Sequence, residues 1–175
     1  MQNLNLSHDI FQGKSVAVVG NSRMIMTRED GGLIDSCDVV VRFNRQFPVR
    51  PECQGARTDI CSLSRNMIRG RRFSKPDSCP DVKFYRCDIS LEFTQYVQAE
   101  MGLPSRKLPS SGARMLHYLL EAGALHTYVF GFDGLRTADW NSPKKRHHRA
   151  HSRSAEVANL AYFASLPDFT VQTYG

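Results

Sequence analysis

Apolar residues along this chain fall into short unbroken runs and longer helical stripes, and the two kinds alternate. Residues 15–19, Ser-Val-Ala-Val-Val, form a run that stops at Gly20, the pattern of a strand buried on both faces. Residues 38–43, 58–63, 82–86, 127–132 and 169–173 read as strands by the same criterion. Residues 91–101 and 113–122 carry helical spacing, with Met115, Leu116, Leu119 and Leu120 on one face. Residues 153–164 are helical too, with Ser152 or Ser154 placed to cap the first turn. Strands alternating with helices predict an α/β protein with one mostly parallel sheet covered on both faces. Two segments lack either period: 66–80, basic and broken by Pro76 and Pro80, and 134–150, which holds Pro143 and the run Lys144-Lys145-Arg146-His147-His148-Arg149.

Composition narrows the picture only in part. A chain of 175 residues fits a single domain spanning 1–175 and can bury a real core, and 41% apolar content argues against disorder. A net charge of +6 favours an anionic partner: a nucleotide-sugar, a phosphorylated glycan, an acidic membrane surface or nucleic acid. Cys37, Cys53, Cys61, Cys79 and Cys87 make an odd count with no CxxC and no metal-ligand spacing. That argues against a disulfide framework or a structural zinc and suits reduced thiols in a reducing compartment. Residues 1–11 carry polar residues throughout, with neither a signal-peptide core nor a spanning stretch, so the chain is expected to be soluble and cytoplasmic.

Two distant stretches hold the chemistry. The first is Val16-Ala17-Val18-Val19-Gly20-Asn21-Ser22, continued by Ile34-Asp35-Ser36-Cys37-Asp38-Val39-Val40-Val41-Arg42-Phe43-Asn44 and Gly55-Ala56-Arg57-Thr58-Asp59. The second is Leu108-Pro109-Ser110-Ser111-Gly112, continued by Tyr128-Val129-Phe130-Gly131-Phe132. Each sets small polar residues and glycine where a strand or loop meets a helix, the place where α/β proteins receive anions on backbone amides. Gly20-Asn21-Ser22 is neither GxGxxG nor followed by Gly-Lys-Ser/Thr, so a dinucleotide fold and a P-loop both lose support. Asn21 and Asn44 both end strands at the ligand-binding edge, and together they can hold ribose or phosphate; singly, each also reads as an ordinary turn residue.

In this order the segments resemble the large and small motifs of glycosyltransferase family 29, the eukaryotic-type sialyltransferases. His151-Ser152-Arg153-Ser154-Ala155-Glu156 resembles the family's very small motif, His-x4-Glu. The resemblance runs from Val16 to Glu156 and implies a variant GT-A-like fold on one Rossmann-like sheet. It implies a CMP-sugar donor contacted by Asn21, Ser22 and Asn44, with Ser110, Ser111 and Gly112 lining the donor phosphate or the sugar carboxylate. His151 would be the general base of an inverting transfer, and His147 or His148 a donor to the phosphate. Glu156 stands five residues after His151, a poor spacing for a same-face pair, and reads as structural.

The chemistry is consistent with this assignment. A displacement at the anomeric carbon needs a base near neutrality for the acceptor hydroxyl, which suits histidine. The leaving CMP needs amides, hydroxyls or a cation around its phosphate. No Asp-x-Asp occurs, in keeping with a metal-independent transfer that needs no cofactor. The donor sugar can be sialic acid or Kdo, each a carboxylated keto-sugar. The stretch from Ser64 to Lys107 is shorter than in the animal enzymes, which leaves the acceptor open. The basic runs Arg69-Gly70-Arg71-Arg72 and 144–149 suit an anionic acceptor such as a lipopolysaccharide core, or a peripheral membrane contact. A nucleotide-binding module without turnover is the second reading. Nucleic-acid binding through the basic loops is the third, with no recognised motif to make it specific.

Overall fold

The computed structural model describes residues 6–44, 47–63, 83–86, 90–140 and 150–174. Six strands, β1 (Ser15–Val19), β2 (Val39–Phe43), β3 (Ile60–Leu63), β4 (Lys83–Arg86), β5 (His126–Phe130) and β6 (Phe169–Val171), form one sheet in the order β4-β3-β2-β1-β5-β6. Every neighbouring pair is parallel. The helices are α1 (Gly31–Ser36), α2 (Pro51–Gln54), α3 (Leu91–Glu100), α4 (Ser111–Glu121) and α5 (Arg153–Ala164).

Strand β1 explains its own unbroken apolar run. Val16 and Val18 join the cluster that includes Met115, Leu116 and Leu119 of α4 and Phe163 of α5, while Ala17 and Val19 join Ile25, Ile34 and Phe130 on the opposite face. A strand covered on both sides cannot alternate apolar with polar residues. The predicted face of α4 is buried at Met115, Leu116 and Leu119, but Leu120 is 41% exposed and lies off it. A polar pair joins the two helices instead: His117 Nε2 meets Asn159 Oδ1 at 2.8 Å. Burial lowers the His117 pKa, in part offset by that bond.

Several boundaries differ from the periodic reading, each for a local reason. The carboxylate of Asp38 takes both the amide and the hydroxyl of Ser15, so β2 begins one residue later, at Val39. Asp59 turns its carboxylate to the Val40 amide, and β3 begins at Ile60. Gly131 at φ +67° ends β5 before the predicted end at Phe132. After β1 the chain forms a 3-10 turn over Arg23–Thr27 rather than an α-helix. Helix α4 starts two residues before its predicted start, because Ser110 caps it through the Ala113 amide.

Cys37, Cys53 and Cys61 are buried and form no disulfide among the described residues, while Cys79 and Cys87 lie outside them. Among the described residues no helix is long and apolar enough to cross a membrane.

Candidate active site

Sheet order reverses direction between β1 and β5, since the chain steps outward from β1 to β4 and then returns to the other side. Ligands of open α/β sheets bind beyond the carboxyl ends of the strands at such a point. A cavity of about 170 Å³ lies there. Asn21, Ser22, Asn44, Ser110, Ser111, Gly112 and His151 all line it, so residues from three separate motifs meet. His147 and His148 lie outside the described residues.

The first long motif divides by strand end. Its residues ahead of the strands, and Arg42 within β2, hold the sheet together. Asp35 accepts the amides of Ala56 and Arg57, and Arg57 in turn donates to the carbonyls of Asp35, Cys37 and Asp38 and to Asp59. Arg42, 2% exposed, donates to Thr58 Oγ1 and to the carbonyls of Gln54, Gly55 and Arg57. Of this motif, Gly20-Asn21-Ser22 after β1 and Phe43-Asn44 at the end of β2 line the cavity. Asn44 adopts φ +59°, a left-handed conformation that asparagine tolerates better than most residues.

Glycines set the floor. A Cβ on Gly20 would lie 2.5 Å from the Gly131 carbonyl and 2.7 Å from the Phe132 ring, and one on Gly112 would run into that ring from the other side. Phe132 therefore wedges between the two motifs, edge-on to Phe43 at 6.1 Å. Tyr174 holds the following turn by accepting the Gly131 amide at 2.7 Å, and burial pushes its hydroxyl pKa up to about 12.

Not every predicted contact residue is open to a ligand. The Ser22 hydroxyl donates to Asp133 at 3.0 Å, lies 2.9 Å from Thr137 Oγ1 and accepts the Met24 amide, while its own amide donates to the Gly131 carbonyl. Ser110 is equally committed: its amide and hydroxyl both donate to Glu156, and its oxygen accepts the Ala113 amide. These two serines shape the loops. The amides of Ser111 and Gly112 lie in the first turn of α4, where the helix ladder supplies no acceptor, and both residues line the cavity. Asp133, which the sequence reading missed, is the anchor beneath Ser22. Burial pushes its carboxyl up, but hydrogen bonds from Thr137, Ser22 and Arg136 outweigh it and hold the pKa below the usual range.

The His-x4-Glu spacing has a structural reason. His151 precedes the α5 cap at Ser152, so it is not on the helix face at all. His151 Nδ1 is 2.8 Å from the Leu108 carbonyl, and Glu156 bonds Ser110 two residues further on. The Leu108 amide also donates to the Ala150 carbonyl, and Lys107 Nζ to the His151 carbonyl. Five residues of spacing thus let loop and helix grip one short extended segment. Glu156, 5% exposed, is the structural residue expected; burial pushes its carboxyl up, offset in part by the two bonds from Ser110. A carbonyl can only accept, so the Leu108 contact places a proton on Nδ1, which in the neutral ring leaves the lone pair on Nε2.

A larger, mainly apolar cavity of about 460 Å³ backs onto Phe132 and Asp133 from the β6 side, and it holds none of the predicted site residues.

No protein-family sequence model matches this chain, and no curated protein sequence does. Solved structures do. A mammalian sialyltransferase in complex with Gal-beta-1-3GalNAc-ortho-nitrophenol superposes with TM-score 0.65 at 20% identity, over 99% of this chain and 74% of that one. A variant of the sialyltransferase CstII in complex with CMP gives 0.58 at 12% identity, over 92% and 81%. CstII from Campylobacter jejuni with the substrate analogue CMP-3FNeuAc gives 0.52 at 13%, over 92% and 80%. At such identities the likeness establishes the fold: this chain has the sialyltransferase fold, as its motifs led one to expect.

Proposed function

We propose that this sialyltransferase-fold protein is a glycosyltransferase that moves a sialic acid from CMP to a glycan hydroxyl with inversion, using His151 as base. The observation that carries the reading is the convergence, in one switch-point cavity, of His151 with the first-turn amides of Ser111 and Gly112 and with Asn21 and Asn44.

The proposed roles follow from position. The acceptor hydroxyl attacks the anomeric carbon and passes its proton to His151 Nε2. The bond from that carbon to the phosphate oxygen breaks, and its electron pair leaves with CMP. The amides and dipole at the start of α4 receive the charge that grows on the phosphate. Asn21 and Asn44 hold the nucleoside through neutral hydrogen bonds. The cavity is smaller than the ~300–1,000 Å³ common for small-molecule sites, so it takes part of the donor, with the acceptor reaching in from outside. Two structural neighbours hold CMP and a CMP-linked substrate analogue, which favours a CMP donor here. Kdo remains the alternative sugar, and an anionic glycan the acceptor that best suits a net charge of +6.

Calorimetric titration with CMP, UMP, AMP and GMP, with and without EDTA, tests the reading. Selective CMP binding that survives EDTA is expected, followed by turnover of CMP-sialic acid or CMP-Kdo. Binding of none of the four nucleotides, or transfer that strictly requires a divalent metal, overturns it.

A further inference from the structure

Three carboxylates line the cavity: Asp133, Asp139 and Glu156. Two are committed. Asp133 accepts from Ser22, Thr137 and Arg136, and Glu156 accepts twice from Ser110. Asp139 is different, because among the described residues nothing donates a hydrogen bond to its carboxylate and it joins no ion pair. Its backbone is nevertheless held. Asp139 forms a bridge with Ser22, flanked by Arg23 N to the Ala138 carbonyl at 3.1 Å and Trp140 N to the Asn21 carbonyl at 3.0 Å. Trp140 packs into the apolar cluster behind β1, and in an extended segment the neighbouring side chain points the other way, toward the cavity.

An open carboxylate is out of place in a cavity meant for a phosphate unless it meets a neutral part of the ligand that donates hydrogen bonds. A pyrimidine nucleotide offers two such parts, the ribose hydroxyls and the base. In Rossmann-like sheets the residue that reads the ribose follows β2, and here that position is Asn44. The base is then left for Asp139. Cytosine presents an exocyclic N4 amine, a donor; uracil presents a carbonyl oxygen at that point, which a carboxylate repels.

We infer that Asp139 is the specificity residue of the nucleotide site, accepting from the N4 amine and selecting cytosine over uracil. This rests on the CMP reading proposed above and names the group that would enforce it. Dissociation constants for CMP, UMP and 2′-deoxy-CMP on the wild type and Asp139→Asn provide the test. The substitution removes no hydrogen bond among the described residues, so the melting temperature should stay unchanged. Wild type should prefer CMP to UMP by about tenfold or more, and Asp139→Asn should weaken CMP about tenfold and bring the CMP-to-UMP ratio to within about threefold. An unchanged ratio, an equal loss for both bases, or loss of only the 2′-hydroxyl preference overturns the inference while leaving CMP binding, and so the proposed function, intact. Wild type that binds no nucleotide overturns the proposed function and this inference with it.

Discussion

At the scale of single residues, the proposed function separates groups that would meet a ligand from groups that hold them in place. His151 belongs to the first kind on that proposal. It sits in a loop, its ring oriented by the Leu108 carbonyl, and it contributes no core packing. His151→Ala should therefore lower kcat by about 10²–10⁴, the span of general-base catalysis, while the Kd for CMP stays within about threefold. Wild-type turnover in that variant would remove His151 as base. Ser22 and Ser110 are the second kind: both line the cavity, and their hydroxyls are bonded to Asp133 and Glu156. A serine in a strand–loop–helix junction reads the same whether its hydroxyl faces a ligand or caps the helix. Only the positions of Asp133 and Glu156, more than forty residues away in the chain, decide between the two. Asp133 itself follows the small motif directly as Phe132-Asp133-Gly134, so an Asp-Gly pair just past a strand was the available signal for it.

At the scale of elements, α4 and α5 act as a unit because Glu156 bonds the residue that caps α4. Glu156→Ala leaves the half-buried Ser110 amide without its acceptor, which costs about 1 kcal/mol or more, or several degrees in melting temperature for a chain of this size. It also lets the Ser111 and Gly112 amides drift, so CMP affinity should fall as well. Glu156→Gln keeps an acceptor for the amide and should recover most of both losses; equal damage from the two substitutions would count against the clasp. Gly112→Ala tests the other contact of this region. The new methyl would meet a Phe132 ring already confined by Gly20, so we expect about 1–3 kcal/mol of destabilisation and weaker CMP binding, read by thermal melting and calorimetry. The strands and long helices were legible because a parallel sheet demands apolar runs and its covering helices demand a stripe. The short helices Gly31–Ser36 and Pro51–Gln54 were not, since six and four residues are too few to display a period.

At the scale of the molecule, buried carboxylates pull the pH dependence of stability in opposite directions. Asp133 has a lowered folded pKa, so its contribution is present above the ordinary aspartate value of about 3.9 and is lost as pH falls through the folded one. Glu156 has a raised folded pKa, so its contribution is full below the ordinary glutamate value of about 4.3 and is lost as pH rises through the folded one. The melting temperature of wild type minus that of Glu156→Gln should accordingly fall as pH climbs from about 4, and a flat or rising difference would show that burial does not dominate at Glu156. What the sequence determined by itself was everything that depends on local pattern: the α/β class, the three motifs, their order, and the residues that end strands. Those follow from periods of two and 3.6 and from the chemistry of glycine and serine, which act over a few neighbours. The tertiary structure alone decided which motif residues face the cavity and which bind the sheet. It also decided that Asp139 is left open among the described residues and that His-x4-Glu grips a segment more than forty residues upstream. Those outcomes rest on contacts between strands and helices distant in the chain, and no local period encodes them.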